Sequence, residues 1–341
     1  MAAAKLPPRM TKKYHVAIVG ATGAVGVELL RVLERRDFPV ASLHLFASPR
    51  SAGNKLEFRG EKFAVGALGE DSFAGIDLAF FSAGSERAKK FAPIAQRAGA
   101  VVIDNSSAFR MDGEVPLVIP EINPKDARGH HGLIANPNCT AAIALMALYP
   151  LHRAFGVRRV FAASYQAVSG SGARAIAELR GQVESSVRGE ATPPAVYPHP
   201  IAFNVLPHVD RFLENGYTGE EMKLENEGRK IMHLPAFRAS VTCVRVPVYR
   251  AHSIAMSAEF ERPVSVEAAG AVLAKAPSLD VVDEPQLDRY PTPLEVAGKD
   301  NCQVGRLRMD RAFDNGLALW IAGDQLLKGA ALNAVQIAEL L

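Results

Sequence analysis

The alternation of apolar and polar residues along the chain predicts strands and helices in regular succession. From Tyr14 the stretch YHVAIVG is a short β-branched run that ends in glycine, and the apolar positions of AVGVELLRVLERR follow it at helical spacing. Further strands are predicted at 43–48, 77–84 and 100–106, and a helix at 85–99. Strands that alternate with helices indicate a doubly wound, Rossmann-type α/β domain with a parallel sheet.

The pattern changes after Asn136. TAAIALMALYPL predicts an apolar helix, and the later runs ASVTCVRVPVY and SIAMSAEFER alternate between apolar and polar residues, which is typical of a half-buried antiparallel sheet. We therefore expect a second domain of α+β type with a largely antiparallel sheet. A proline-rich stretch at 191–210 predicts an irregular excursion over the surface, and Asp324 is a candidate cap for a terminal helix.

Composition narrows the class of protein. The 341 residues are 48% hydrophobic and 22% charged, which suits a globular protein of two domains. The net charge of +3, from 39 basic and 36 acidic residues, argues against a nucleic-acid partner. Three cysteines without a CxxC pair argue against a disulfide framework or a metal site and favour a reducing compartment, so we expect a cytoplasmic protein without a metal.

The first residues form a separate basic segment. MAAAKLPPRMTKKY lacks the apolar core of a signal peptide, and the chain has no apolar run of the ~20 residues that a membrane span needs. Residues 1–12 are therefore expected to be a flexible basic arm, and no membrane partner is expected. A remnant of an organelle-targeting leader stays an alternative interpretation of this segment.

A glycine-rich turn joins the first strand to the first helix. Its glycines fall as GxxGxxG, which lets the backbone turn tightly and approach a pyrophosphate at the helix N-terminus. The acidic residue that marks NAD binding is replaced at the end of the second strand by a guanidinium and hydroxyls, which favours the 2′-phosphate of NADP. A solvated arginine in a sheet turn is the alternative. The expected cofactor contacts are Gly20, Thr22, Gly23, Ala24, Val25, Arg50 and Ser51.

Cys139 is the candidate nucleophile. It stands in NPNCT, directly before an apolar helix, and a helix N-terminus raises the thiolate fraction of a cysteine. Cys243 and Cys302 are instead interpreted as small buried apolar residues. His252 lies just past a strand, beside a cluster of cations, and is the candidate acid–base partner; a plain surface position explains its spacing equally well.

The motifs GATGAVG, NPNCT, QAVSGSG and RVPVYRAHS, in this order, resemble the aspartate-β-semialdehyde dehydrogenase family from about residue 14 to the C-terminus. The resemblance implies the interconversion of L-aspartyl-4-phosphate and L-aspartate-4-semialdehyde with NADPH and phosphate. It places the chain in lysine, threonine and methionine biosynthesis, with the connected diaminopimelate and isoleucine branches. It also implies a homodimer, possibly a tetramer, and a small helical subdomain used in dimer contacts within the proline-rich stretch.

The resemblance also implies roles for individual residues. Cys139 forms a thioester, His252 exchanges the proton, and Gln166 orients the acyl group. The charged and polar substrate contacts that it implies are Arg245 for the carboxylate, Glu220 for the ammonium, Lys223 and Arg110 for the phosphate, and Asn138 as an oxyanion donor. Ser169, Gly170 and Gln325 match further cofactor contacts. The expected domains are therefore 13–138 with 324–341 for NADP, and 139–323 for catalysis, substrate binding and dimerisation.

Two alternatives remain at this point. N-acetyl-γ-glutamyl-phosphate reductase shares the glycine turn, the cysteine and an acyl-phosphate substrate, but its substrate has no free ammonium, so Glu220 favours the aspartyl enzyme. The other alternative is a non-catalytic NADP-binding paralogue that senses redox state through Cys139 or serves as an assembly partner. The presence of the nucleophile, the histidine, the glutamine and the substrate cations in one chain argues against it.

Overall fold

The chain forms two compact units in the computed structural model, which describes residues 12–341. Cys139–Gly329 make up the second unit, and the residues before it join with Ala330–Leu341 in the first. The sequence predicts that the chain returns to the first domain at residue 324. In the structure it returns at Ala330, since the residues up to Gly329 belong with the second unit. The predicted basic arm lies outside the described residues, apart from Lys12, whose Nζ lies 3.0 Å from a carboxylate oxygen of Asp77.

The first unit contains a seven-stranded sheet with the strand order β3-β4-β2-β1-β5-β6-β7. Its strands are β1 Tyr14–Val19, β2 Val40–Ala47, β3 Lys55–Phe58, β4 Glu61–Ala67, β5 Leu78–Phe81, β6 Val101–Asp104 and β7 Leu133–Ala135. All neighbours run parallel except β3 and β4. The prediction of a doubly wound parallel sheet is confirmed, and the carboxyl ends of β1, β2 and β5 meet at one edge.

From residue 12 onward, the α-helices of this unit are α1 Ala24–Arg35, α2 Ser85–Arg97 and the C-terminal α8 Leu332–Ala338. The buried positions Leu29, Val32 and Leu33 recur at helical spacing, so one side of α1 packs into the core. The guanidinium of Arg36 donates hydrogen bonds to both carboxylate oxygens of Glu339, at 2.6 and 2.7 Å. This bidentate pair ties the end of the chain to the end of α1.

The second unit contains a six-stranded sheet with the strand order β11-β12-β13-β10-β8-β9. Its strands are β8 Val157–Gln166, β9 Arg238–Arg245, β10 His252–Phe260, β11 Leu279–Val281, β12 Cys302–Met309 and β13 Gly316–Gly323. The sheet is mixed rather than purely antiparallel, because β9 runs parallel to β8 and β11 runs parallel to β12. A long crossover that contains helices separates β8 from β9, and such a connection permits parallel pairing where a hairpin does not.

The helices of the second unit are α3 Cys139–Phe155, α4 Ala173–Val187, α5 Glu221–Ile231, α6 Val266–Leu273 and α7 Pro293–Val296. The apolar helix α3 packs against β8, β10, β12 and β13 and so covers one face of the sheet. On the opposite side of β8, the side chain of Phe161 is 54% exposed and stacks on Phe313, with 5.7 Å between ring centroids. Across residues 12–341, no helix is both long and apolar enough to cross a membrane.

The proline-rich stretch 191–210 contains no helix, so the expectation of a helical subdomain there is wrong. Its prolines remove the backbone donors that a helix needs. The stretch is instead anchored on α4, where Ile201 and Leu206 pack against Leu179. The side-chain oxygen of Gln182 also accepts the backbone N–H groups of Ile201 and Ala202, at 2.9 and 3.0 Å. The segment is therefore irregular and fixed to the surface of α4.

Candidate active site

The end of β8, the end of β9 and the start of β10 meet at one edge of the second sheet. Gln166 lies opposite Arg245 in the parallel pairing, and Tyr165 lies opposite Ser253 in the antiparallel one. This register brings Gln166, Arg245 and His252 to the same edge. Three of the residues singled out in the sequence are thus gathered by strand pairing alone.

Cys139 is the first residue of α3, as the sequence predicts. Its side chain is partly exposed, whereas the helix behind it is buried from Thr140 through Leu148. A helix N-terminus favours the thiolate through its free amides and dipole. Gly329, in a π-helical turn over Leu327–Ala331, packs directly on the cysteine, since a Cβ at Gly329 would lie 2.7 Å from the Cβ of Cys139. The side chain of Cys139 is thereby confined on that side.

Gln166 connects the start of α3 with the start of α5. Its buried side-chain amide donates to the carboxylate of Glu220 at 2.9 Å and to the hydroxyl of Thr140, the residue after Cys139. One amide nitrogen thus holds an acidic group and the first turn of α3 together. This arrangement suits a glutamine that orients an acyl group on the cysteine.

His252 is buried and neutral. Burial, reinforced by the nearby Arg245, lowers the pKa of its imidazole to about 3, against an opposing effect of Glu220. The backbone N–H of Ala167 donates to Nδ1 at 3.0 Å. A neutral imidazole carries a single proton, so this proton lies on Nε2. The surface alternative for His252 is therefore wrong, and the ring presents an N–H donor.

Arg245 lies beside His252 and carries an unused donor. Its Nη1 donates to the backbone oxygen of Ala167 at 2.7 Å, while its buried Nε has no hydrogen-bond partner. Gly170 lies against both side chains, since a Cβ there would be 3.1 Å from Nη1 of Arg245 and 3.4 Å from Nε2 of His252. A buried guanidinium with a donor left unsatisfied fits a carboxylate ligand.

Glu220 and Lys223 form an ion pair at the start of α5, with 2.7 Å between carboxylate and ammonium. Lys223 also contacts Asp210, at 3.1 Å. Burial of Lys223 disfavours its charge, but the two carboxylates outweigh this effect and raise the pKa of the ammonium. The next acid, Glu221, is structural, because it accepts the backbone N–H groups of Thr218 and Cys243. The site thus holds groups of both signs.

Gln325 lies in the second unit, beside the start of β10. Its side-chain oxygen accepts the backbone N–H of Ala251 at 2.8 Å, and its nitrogen donates to the hydroxyl of Ser169. Asp324 caps the turn that follows, since its carboxylate accepts the N–H groups of Leu326 and Leu327 at 2.9 and 3.3 Å. Ser169 and Gln325 are therefore linked, and the capping role predicted for Asp324 is confirmed for this turn.

In the first unit, a cleft of about 210 Å³ opens at the carboxyl ends of β1, β2 and β5. Its lining includes Gly20, Thr22, Gly23 and Arg50. Gly20 has φ +89°, and a Cβ there would lie 2.2 Å from the carbonyl oxygen of Ser82, so only glycine fits. Of the other expected contacts, Ala24, Val25 and Ser51 are not among the lining residues.

A second arginine, Arg87 of α2, lines the same cleft and was not singled out in the sequence. It lies almost forty residues after Arg50 and shares no motif with it, so only the pairing of β1 between β2 and β5 brings the two together. Two exposed guanidinium groups beside a glycine turn suit a dinucleotide with more than one phosphate group. The residues present therefore fit a nicotinamide dinucleotide.

Arg110 lies in the first unit, where backbone oxygens of that unit fix its side chain. Its guanidinium donates to the backbone oxygens of Asn136 and Asn105, at 2.9 and 2.8 Å. Asn136 in turn receives a hydrogen bond from Asn333 of α8, at 2.6 Å. Asn138 is buried and directly precedes Cys139 in the chain. The role of Arg110 in phosphate binding and that of Asn138 as an oxyanion donor stay predictions.

Two domain families match the chain in sequence. The model described as "Semialdehyde dehydrogenase, NAD binding domain" matches residues 15–130, and the one described as "Semialdehyde dehydrogenase, dimerisation domain" matches residues 148–328. The aspartate-semialdehyde dehydrogenase of Aquifex aeolicus is 52% identical over 332 residues, covering 96% of this chain and 98% of that protein. The enzyme of Bacillus subtilis is 45% identical over 340 residues, covering 97% of this chain and 98% of that protein.

The chain belongs to the aspartate-semialdehyde dehydrogenase family.

Solved structures agree with this assignment. Aspartate semialdehyde dehydrogenase II of Vibrio cholerae, complexed with ASA, superimposes with a TM-score of 0.94 at 42% identity, covering 97% of this chain and 98% of that one. The chain is accordingly an oxidoreductase with an NAD-binding domain and a dimerisation domain. The resemblance inferred from GATGAVG, NPNCT, QAVSGSG and RVPVYRAHS is confirmed.

The other cysteines of this family member behave as the sequence predicts. Cys243 and Cys302 are buried, and burial raises the pKa of Cys243 to about 12. Sequence reasoning missed Thr140, Asp210 and Gly329, which contact Gln166, Lys223 and Cys139, respectively. A threonine next to the cysteine was visible in NPNCT, but nothing in the sequence signalled the other two. Gly329 meets Cys139 from a distant segment, and no motif marks the contact of Asp210 with Lys223 across the turn that precedes α5.

Proposed function

We propose that the chain is an aspartate-semialdehyde dehydrogenase that converts L-aspartyl-4-phosphate to L-aspartate-4-semialdehyde with NADPH, through a thioester on Cys139. The observation that carries the proposal is a pair of opposite charges where the ends of β8 and β9 meet the start of β10. Arg245 has a buried donor without a partner. Glu220 accepts a hydrogen bond from Gln166, which also contacts the start of α3. An aspartyl substrate presents a carboxylate and an ammonium, which match these two groups.

The first half of the reaction makes the thioester. The thiolate of Cys139 attacks the acyl-phosphate carbon, a C–S bond forms, and phosphate leaves with the electrons of the C–O bond. Lys223 and Arg110 stabilise the departing phosphate, and Asn138 with the first amides of α3 stabilises the oxyanion. Gln166 holds the acyl group, because its amide is already fixed by Glu220 and Thr140.

The second half reduces the thioester. NADPH, when bound, supplies the hydride. The thioester carbon accepts the hydride, and the electron pair of its C=O bond moves to the oxygen. The carbonyl then reforms from that oxygen as the C–S bond breaks, and His252 donates from Nε2 to the departing sulfur. Transfer of a full proton requires a pKa of His252 well above 3, and a thiolate and an anionic substrate beside the ring raise it in that direction. In the oxidative direction the same imidazole takes the thiol proton at Nε2. This step requires the tautomer that carries its proton on Nδ1, so the hydrogen bond from the N–H of Ala167 to Nδ1 has to break.

NADP is the coenzyme that the first unit favours. Arg50 lines the cleft at the end of β2, where an acidic residue would instead bind the ribose hydroxyl of NAD. Ser169, Gly170 and Gln325 are assigned to the nicotinamide end by resemblance. In this proposal Arg50 receives the 2′-phosphate and Arg87 the pyrophosphate.

A homodimer is the assembly that we propose. The second unit matches a dimerisation-domain model, and its sheet leaves large apolar side chains exposed on the side away from α3, Phe161 among them. The products serve lysine, threonine and methionine biosynthesis, with its diaminopimelate and isoleucine branches. We place the enzyme in the cytoplasm, where its three cysteines, which form no disulfide, remain reduced.

Trapping the acyl-enzyme tests nucleophile and substrate together. Incubation with aspartate semialdehyde and NADP without phosphate, followed by peptide mass mapping, should place an aspartyl group on Cys139, and Cys139→Ala should bind NADPH without turnover. An adduct on another residue, or turnover by Cys139→Ala, contradicts the mechanism. Activity with N-acetylglutamate semialdehyde and none with aspartate semialdehyde identifies the N-acetyl-γ-glutamyl-phosphate reductase alternative, and no activity with either points to the non-catalytic paralogue.

A further inference from the structure

Asp210 lies at the base of a short hairpin that leads into α5. Phe212 pairs with Thr218 across this hairpin. The backbone of Asp210 adopts φ +70°, a left-handed conformation that asparagine and aspartate tolerate better than most residues. The N–H of Arg211 donates to one carboxylate oxygen of Asp210 at 2.8 Å, which leaves the other oxygen to face Lys223.

The facing residue, Gly219, makes room for this carboxylate. A Cβ at Gly219 would lie 2.9 Å from Oδ2 of Asp210 and 3.2 Å from its Cγ. Oδ2 is also the atom that contacts the ammonium of Lys223, at 3.1 Å. The side chain of Asp210 is 41% exposed and that of Lys223 is 22% exposed, so solutes can reach the pair.

The charges around Lys223 are unbalanced. One ammonium faces two carboxylates, at 2.7 Å from Glu220 and 3.1 Å from Asp210. These contacts use two of its three hydrogen-bond donors. Phosphate that binds Lys223 is therefore a third anion, which competes with a carboxylate for the same cation and is repelled by it.

We propose that Asp210 is a positioning residue that holds Lys223 when phosphate is absent and competes with phosphate for it. Asp210 thereby weakens phosphate binding and speeds the departure of phosphate in the reductive direction. Glu220 is not the competitor, because it is buried and bonded to Gln166. This inference rests on the proposed function, in which Lys223 binds the phosphate.

Asp210→Asn tests the proposal with little change in shape. Asparagine tolerates the positive φ and still accepts the N–H of Arg211, but it carries no charge. From the strength of a half-exposed ion pair we expect the KM for phosphate to fall about fivefold in the oxidative direction. Phosphate should become a stronger product inhibitor of the reductive reaction by the same factor, while the KM for aspartate semialdehyde changes less than about twofold.

Glu214→Gln is the matched control, since it removes one negative charge from the exposed tip of the same hairpin. An unchanged or higher phosphate KM in Asp210→Asn, or an equal fall in Glu214→Gln, overturns the role of Asp210. A titration with inorganic phosphate, followed as the rise in Tm, gives a readout independent of turnover and should show tighter binding in Asp210→Asn alone. A wild-type chain without phosphate-dependent activity contradicts the proposed function itself; an active wild type with an unmoved phosphate KM contradicts only this inference.

Discussion

Replacing Gly329 with alanine should displace the nucleophile. The new Cβ would lie 2.7 Å from the Cβ of Cys139 and 3.2 Å from its Cα. Ordinary carbon–carbon contacts are roughly 3.5–4.0 Å, so about 1 Å of movement is needed. Both neighbouring segments are buried, and neither atom that would be struck is the end of a flexible side chain. The movement must therefore involve the first turn of α3 or the π-helical turn itself.

Two effects of different size should follow. Overpacking of a buried contact costs about 1–3 kcal/mol, which is a Tm loss of several degrees. A reacting atom displaced by about 1 Å loses on the order of 10²-fold in rate. Because the backbone of Gly329 does not have a positive φ, the added methyl acts by steric contact and not by backbone strain. Activity should thus fall far more than the fraction of folded protein.

The assay is phosphate-dependent NADPH formation from aspartate semialdehyde, together with thermal unfolding and the rate of alkylation of Cys139 by iodoacetamide. Gly270→Ala in α6 is the control, because its added methyl would meet only a side-chain carbon of Leu307, at 3.9 Å. Gly270→Ala should keep its activity. If Gly329→Ala is folded and keeps the wild-type kcat/KM, then Gly329 does not set the position of the cysteine.

Three further predictions concern pH, coenzyme and assembly. Burial lowers the pKa of His252 to about 3 from the ordinary 6.5. Between these pH values the unfolded chain protonates this residue and the native chain does not, so stability is lost as pH falls from 6.5 to 3. The free energy of unfolding, measured by chemical denaturation, should fall between pH 7 and pH 5 by about 2 kcal/mol less in His252→Asn than in the wild type. An equal fall in both proteins contradicts a neutral buried imidazole. Arg50→Ala should raise the KM for NADPH at least about tenfold more than that for NADH, whereas Arg87→Ala weakens both alike; equal losses in Arg50→Ala remove the basis for the NADP preference. Phe161→Glu should convert the proposed dimer to a monomer in sedimentation velocity, and a persisting dimer locates the interface elsewhere.

Much of the local chemistry could be predicted from the sequence. The glycine turn between β1 and α1 and the cysteine at the start of α3 depend on a few consecutive residues, so their motifs and the surrounding periodicity were sufficient. The inert character of Cys243 followed in the same way from its place in an alternating strand. The place of Arg50 beside the glycine turn could be predicted because the residue closely follows the second strand.

The environment of His252 could not be predicted, because it depends on contacts across the fold. Its spacing suited a surface position as well as a buried one. The neutral ring results from burial, from the cation of Arg245 and from the N–H of Ala167, which lies 85 residues away in the chain. Gly329 was missed for the same reason, since it contacts Cys139 from a distant segment. Asp210 is near Lys223 in the chain, but only the folded turn before α5 brings its carboxylate to the ammonium.

The pairing of β9 shows where sequence and tertiary structure divide. Alternation along ASVTCVRV determined that β9 is a half-buried strand, because the two faces of a sheet impose a period of two. It did not determine the direction of pairing, since parallel and antiparallel neighbours share that period. Only the crossover through α4 and α5 sets β9 parallel to β8 and brings Arg245 beside Gln166; in the antiparallel arrangement, Arg245 would lie at the opposite edge of the sheet.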